Sequence, residues 1–249
     1  MGAVIFSDVH ADASAISAFA SCIKQPSFAD HFGSIDSVVN LGDILHRGDY
    51  PIEALGYVHI LAKEYRLISI IGNHDHAFLN RIPVSGSDAV STSRHEQVRG
   101  SPLLSLFTGM PLEWVGDNML FVHGGPMELG SSTLRLKCWQ RLGREPGDSS
   151  AGYYYTPEMA FSALRYRGLV HMCCGHQHSA ICCRNTSNGI KNHDLVFCEI
   201  EIAKKDPNNL LVANVPLDVP TIFRIGACYG DNPEFAYTDF KTFSFIRIN

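Results

Sequence analysis

No stretch of this chain approaches the roughly 18 consecutive apolar residues of a membrane-spanning helix, which argues against an integral membrane protein. Nothing in it reads as a signal peptide, because the first apolar run, Val4-Ile5-Phe6, leads straight into Asp8. Basic residues are scarce: 20 Lys and Arg stand against 25 Asp and Glu, for a formal net charge of −5. That balance argues against an extended nucleic-acid surface, which shows as a basic stripe. The eight cysteines form no C-x-x-C pattern, so the common structural zinc site is missing. Cys173-Cys174 and Cys182-Cys183 are adjacent pairs and read as reduced core residues. No internal repeat or low-complexity tract is present. The expectation is a cytoplasmic globular protein without membrane partners. Its 249 residues, 45% of them hydrophobic, suffice for one core, hence a single domain over 1–249.

What the chain does have is a series of short polar blocks. They read Asp8-Val9-His10, Gly42-Asp43, Gly72-Asn73-His74-Asp75, His123-Gly124-Gly125 and Gly175-His176-Gln177-His178, with Arg47-Gly48 trailing the second. Each follows an apolar run that reads as a strand: Val4 to Phe6, Val38 to Leu41, Leu67 to Ile71, Met119 to Val122 and Leu169 to Cys174. Ligands from five strand ends can converge only if those strands lie side by side in one sheet, and open α/β sheets bind ligands at their carboxyl ends. Asp, His and Asn are metal ligands, so the pattern reads as a metal site, and as a double one. In extended chain, residues i and i+2 point the same way. Asp8 with His10, and His176 with His178, would then each grip an ion while Val9 and Gln177 turn aside. Gly42, Gly72 and Gly175 each precede a candidate ligand and tolerate tight turns. Asp43 has two oxygens that can bridge two cations, and Asn73 offers a neutral carbonyl oxygen.

On these blocks the chain resembles the calcineurin-like metallophosphoesterases, whose pattern runs D-x-H, G-D, G-N-H-[DE], H-G or H-x, then G-H-x-H. The blocks span residues 8 to 178, and their combination is far more specific than any one of them. The resemblance implies an α/β fold, a four-layer α/β/β/α sandwich with a dinuclear metal site at the strand C-terminal ends. It gives Asp8, His10, Asp43 and His178 to one ion, and Asp43, Asn73, His123 and His176 to the other. It makes His74 the imidazole near the leaving-group oxygen and Arg47 a phosphate clamp, the guanidinium fork matching phosphate oxygens. Mixed N and O ligands suit manganese, with iron or zinc as alternatives. Gly42 to Gly48 is similar to the G-D-x-x-D-R-G block of protein phosphatases and diadenosine tetraphosphatases. His46, however, stands where those enzymes carry the Asp that orients the catalytic histidine, which leaves Asp75 or a backbone carbonyl for that task. His178 and the run Leu164 to Val170 are similar to small prokaryotic diadenosine-tetraphosphatase-like proteins. The activity implied is hydrolysis of a small, nucleotide-like phosphate ester by a metal-bridging hydroxide. The alternatives are a phosphoprotein phosphatase, a nuclease, and a catalytically silent metal-binding interaction protein.

Elsewhere, apolar spacing predicts helices over Asp12 to Ile23 and Pro51 to Tyr65. Residues 80–118 read as loop followed by helices, and Arg141 to Asp148 as loop. Tyr153-Tyr154-Tyr155 read as packing at a loop edge, with a substrate wall as the alternative. From Ala180 onward, Leu195 to Ile202, Leu210 to Val215, Thr221 to Ile225 and Ala236 to Ile248 read as strands of a second, antiparallel sheet. His46 and His76 are expected to flank the pocket, whereas His31, His59, His171 and His193 are expected to be structural. Arg94-His95-Glu96 and Arg99 read as the solvated face of a helix.

Overall fold

The computed structural model describes residues 2–201 and 209–249. Side-chain alternation along its strands decides the layering. In β1 (Ala3–Phe6), Val4 and Phe6 pack against helices while Ala3 and Ile5 face a second sheet. β1 runs parallel to β2 (Ser37–Asn40), which runs parallel to β3 (Arg66–Ser69). The crossovers are α1 (Ala13–Ile23), α2 (Pro26–Phe32) and α3 (Pro51–Glu64). α1 starts where Asp12 accepts the Ala15 N–H at 3.0 Å. Next come α4 (Asn73–Asn80), α5 (Ala89–Val98) and a 3₁₀ turn over Pro102–Phe107. The antiparallel pair β4 (Glu113–Gly116) and β5 (Met119–Val122) follows. The stretch expected to be loop and helices therefore ends in a strand.

Three short strands, β6 (Arg141–Leu142), β7 (Gly147–Ser149) and β8 (Gly152–Tyr155), form a small separate sheet ahead of α6 (Pro157–Tyr166) and β9 (His171–Cys174). β10 (Ile181–Thr186) and β11 (Gly189–His193) make a hairpin, followed by β12 (Cys198–Glu201), β13 (Asn209–Pro216) and β14 (Thr221–Arg224). Ile202, the last residue of the expected strand there, lies outside the described residues. The expected strand Ala236 to Ile248 is two strands, β15 (Glu234–Thr238) and β16 (Thr242–Ile248). Asp239 turns the chain between them by accepting the N–H groups of Lys241 and Thr242.

The seven-stranded sheet runs β12-β13-β16-β15-β1-β2-β3 and the six-stranded sheet β11-β10-β14-β9-β5-β4. This corrects two expectations. The five motif strands do not share one sheet: β1, β2 and β3 belong to one, β5 and β9 to the other. Nor do the C-terminal strands form a sheet of their own; they extend both. Strand pairing is a long-range choice that a local pattern leaves open. The inter-sheet core holds Ile5, Val39, Phe121, Cys173, Cys182, Phe223 and Phe243, with Phe223 and Phe243 stacked at 4.0 Å. Helices α1 and α3 cover the outer face of the first sheet through Ile16, Phe19, Leu55 and Val58. α6 covers the second through Ala160, Phe161 and Leu164. The result is the expected α/β/β/α order. Among the described residues, no helix is long and apolar enough to cross a membrane.

Candidate metal centre

The polar blocks meet where the two sheets face each other at their strand ends. Asp8, His10, Asp43, His46, Arg47, His176 and His178 all have positive φ, between 49° and 69°. Non-glycine residues in this left-handed region each cost of order 1–3 kcal/mol, and such strain gathers at functional sites. The i, i+2 geometry of extended chain is therefore not how the pairs converge. Asp8 (φ 57°) and His10 (φ 49°) turn into one donor set, whereas His176 and His178 do not grip one ion together as expected: His176 joins Asp43 and His123, and His178 joins Asp8 and His10. Asp and His tolerate the left-handed conformation better than branched residues. Gly42 (φ 105°) and Gly72 lie back to back, and a Cβ on Gly72 would sit 2.1 Å from the Asp43 Oδ1. Only glycine lets these two loops approach so closely.

Two donor sets result. Asp8, His10 and His178 form one and Asp43, His123 and His176 the other, each with ligand atoms within 4.8 Å of one another. His10, Asp43 and His74 form a third overlapping group at the junction. The His10 and His178 Nε2 atoms are 3.0 Å apart, and Asp8 Oδ1 lies 3.2 Å from His178 Nε2. Asp43 Oδ2 is 3.2 Å from His123 Nε2 and 4.0 Å from His10 Nε2, so this carboxylate reaches both sets. Asn73 Oδ1 lies 3.1 Å from His123 Nε2. His10 Nδ1 and His123 Nδ1 lie 3.3 Å and 2.9 Å from the carbonyls of Leu45 and Leu41. Donation there directs each Nε2 lone pair into the cluster, as ligating imidazoles require.

The electrostatics fit cations. Burial works to raise the Asp43 carboxyl, but the charges of His123, His74 and His10 hold it well below the usual carboxylate range. Asp8 is likewise held low against its burial, by the hydrogen bond from His178 and the charge of His123. Burial pushes His10 down to about 3 and His176 well below the ordinary imidazole value. His123 rises, to about 9: burial pulls it down, but the charge of Asp43, its hydrogen bond to Asp43 and the charges of Asp8 and Asp75 together outweigh that. Two buried carboxylates held ionised call for positive charge beside them. His176 Nε2 is buried and has no hydrogen-bond partner, which an ion would supply. The residues fit two metal ions.

Asp75 is placed differently from its expected role. Its carboxylate accepts the N–H groups of Asp43, Ile44 and Leu45 at 2.7, 3.0 and 3.1 Å, and so ties down the backbone of the Asp43 loop. The His74 ring is flanked edge-on by His10 at 4.8 Å and His46 at 5.4 Å, and by the Arg47 guanidinium, 3.4 Å from His74 Nε2. Asp75→Ala should strand several buried donors at about 1–3 kcal/mol each. Urea unfolding of the metal-free protein should show that loss, with Asp75→Asn milder; an unchanged midpoint would refute this reading.

Arg47, His74 and Asp43 line one cavity of about 280 Å³ with Arg141, His176, Gln177 and His178. Arg141 was not legible in the sequence, where it sits in a stretch read as loop. Its Nε donates to the Ala151 carbonyl at 2.9 Å, while Gln177 pairs with both polar groups of the Leu142 backbone. Tyr229 adds a ring edge-on to His10 at 6.1 Å. Tyr155 is fully buried and its hydroxyl donates to the Gly124 carbonyl at 2.8 Å, so packing and positioning of the His123 loop explain it. His76 approaches the indole N–H of Trp139 at 3.4 Å. His95, expected on a solvated face, is only 2% exposed.

Comparison with known proteins agrees with this geometry. Residues 1–180 match the calcineurin-like phosphoesterase model, and the chain belongs to that family. No curated protein matches it. Among solved structures, a metallophosphoesterase from Sphaerobacter thermophilus superposes with a TM-score of 0.65 at 20% identity, covering 100% of this chain and 88% of that one. A protein serine/threonine phosphatase from Saccharomyces cerevisiae gives 0.60 at 12% identity, over 99% and 79% of the two chains. A candidate diadenosine tetraphosphatase gives 0.53 at 13% identity, over 99% and 93%. At these identities the likeness is one of fold. Family, fold and the two donor sets together define a binuclear metal centre suited to metal-dependent hydrolase chemistry.

Proposed function

We propose that the protein hydrolyses phosphate esters of a small, nucleotide-like substrate with two metal ions, manganese ahead of iron or zinc. The observation that carries this reading is the opening of both donor sets, Arg47, Arg141 and His74 on one cavity. Asp8, His10, Asp43 and His178 would hold one ion, and Asp43, Asn73, His123 and His176 the other. Bound there, the ions supply Lewis acidity and an activated water. The chain's own groups do the rest. Arg47 and Arg141 approach the cavity as two guanidinium forks for phosphoryl oxygens, and His74, beside Arg47, serves the departing oxygen with a proton or hydrogen bond. The modest cavity and the acidic chain support a small substrate over a polymeric nucleic acid. The run Leu164 to Val170 and the retained His178 support a dinucleoside polyphosphate or related diester over a phosphoprotein.

The test is a screen of bis-p-nitrophenyl phosphate, p-nitrophenyl phosphate, dinucleoside polyphosphates and phosphopeptides, with manganese, iron and zinc each confirmed bound. Preference for phosphopeptides would make the protein a phosphoprotein phosphatase. Silence on every substrate with both ions bound would make it a binding member of the family. Arg47→Ala and Arg141→Ala should each lower kcat/KM by about 10–100-fold, the worth of a charge-assisted contact, with metal content unchanged. Wild-type kcat/KM in both variants would remove the arginines from the phosphate site.

A further inference from the structure

Helix α5, with the sequence AVSTSRHEQV, has few apolar residues, yet it docks with Ser91, His95 and Val98 buried. Much of its polar face meets a run of backbone. His95 Nε2 accepts the His46 N–H at 2.7 Å, and Ser87 Oγ, just ahead of the helix, accepts the Arg47 N–H at 2.8 Å. Ser91 Oγ donates to the Gly48 carbonyl at 2.8 Å, and Arg94 to the Asp49 carbonyl at 2.9 Å. Four consecutive residues, 46 to 49, are thus gripped one after another. His95 is itself fixed, its Nδ1 lying 2.7 Å from the Ser91 carbonyl; donation there leaves Nε2 as the acceptor. The loop before α5 also packs on the Arg47 stem, for a Cβ on Gly86 would lie 3.2 Å from Arg47 Cγ.

The gripped residues need holding. His46 and Arg47 both sit at φ 69°, a conformation a long side chain does not choose in isolation. The same turn brings the Arg47 guanidinium to 3.4 Å from His74 and into the cavity over the metal centre. We propose that His95, assisted by Ser87 and Ser91, is a positioning residue: it locks the His46-Arg47 turn through the backbone and so sets where Arg47 meets a phosphoryl group. The inference rests on the proposed role of Arg47 as a phosphate contact. His95 touches neither substrate nor ion in this account; it acts through the turn. His46 takes part through its backbone N–H.

The test compares His95→Ala, His95→Gln, Arg47→Ala and the His95→Ala/Arg47→Ala double variant. In metal-free protein, amide hydrogen exchange should accelerate at His46 and Arg47 in His95→Ala, and return toward wild type in His95→Gln, whose side-chain oxygen can accept the same N–H. With manganese bound, calorimetry should show inorganic phosphate binding weakened about tenfold in His95→Ala, the order of one lost charged hydrogen bond, at unchanged metal content. In the Arg47→Ala background, His95→Ala should change phosphate affinity by less than about twofold, because coupled residues are non-additive. An equal further loss there would make His95 a general structural support and overturn the proposal, as would wild-type phosphate affinity in a folded His95→Ala. If that variant does not fold, half-buried Ser87→Ala should show a smaller loss of the same kind, and wild-type affinity in it would overturn the proposal. Phosphate binding that follows this pattern without ester hydrolysis would refute the proposed activity and leave the positioning role standing. A wild type that binds no phosphate would refute the role of Arg47, and this proposal with it.

Discussion

Asp43→Asn should empty both ion positions and abolish turnover, while leaving the fold intact. Asp43 is the carboxylate that reaches both donor sets, with Oδ2 near His123 and His10 and Oδ1 accepting the His74 N–H at 2.7 Å. The amide keeps the shape but removes the charge that two buried cations require. The fall in kcat should exceed the roughly 10²–10³-fold cost of removing one electrostatic stabiliser, because it takes the ions as well. His178→Ala is the contrast: it should weaken chiefly the ion shared with Asp8 and His10. Elemental analysis after dialysis reads both variants. Full two-ion occupancy in Asp43→Asn would refute the bridging role.

His74→Ala should behave in the opposite way, retaining both ions and losing rate. The imidazole lies at the junction of the donor sets, its ring 4.8 Å from that of His10, with Arg47 close by. Burial lowers its pKa, while the Asp43 charge acts to raise it. General acid help is worth about 10²–10⁴-fold, and kcat should fall within that range. The loss should shrink for esters whose leaving group is already acidic, such as p-nitrophenol. A uniform loss across a leaving-group series would confine His74 to positioning or electrostatic help.

Much of this centre was legible because its ligands are local blocks at strand ends, and block order survives without knowledge of the fold. Helices α1 and α3 were legible for a similar reason: their apolar residues recur at helical spacing and pack on one sheet face. What escaped is what depends on distant partners. Sheet membership of β5 and β9 follows from pairing with β4 and β14, which nothing near the His123 or His176 blocks encodes. Arg141 reaches the cavity through a two-residue strand paired to β8, too short for a periodic signal. His95 read as solvated because the group it serves is a backbone N–H 49 residues away, and a helix that binds backbone shows no apolar stripe. With His46 in place of the orienting Asp, the sequence leaves Asp75 or a backbone carbonyl to orient His74; an α-helical start points neighbouring side chains apart, and the Asp75 carboxylate turns to the Asp43 loop.

The central claim is that one chain holds two ions through a shared carboxylate and that both are needed for hydrolysis. Titrating the metal-free wild type with manganese, with bound ion and bis-p-nitrophenyl phosphate turnover followed together, tests it most directly. Two equivalents should bind per chain, with turnover appearing only as the second site fills. Full turnover with a single bound ion, or a second ion that binds without changing the rate, would contradict it.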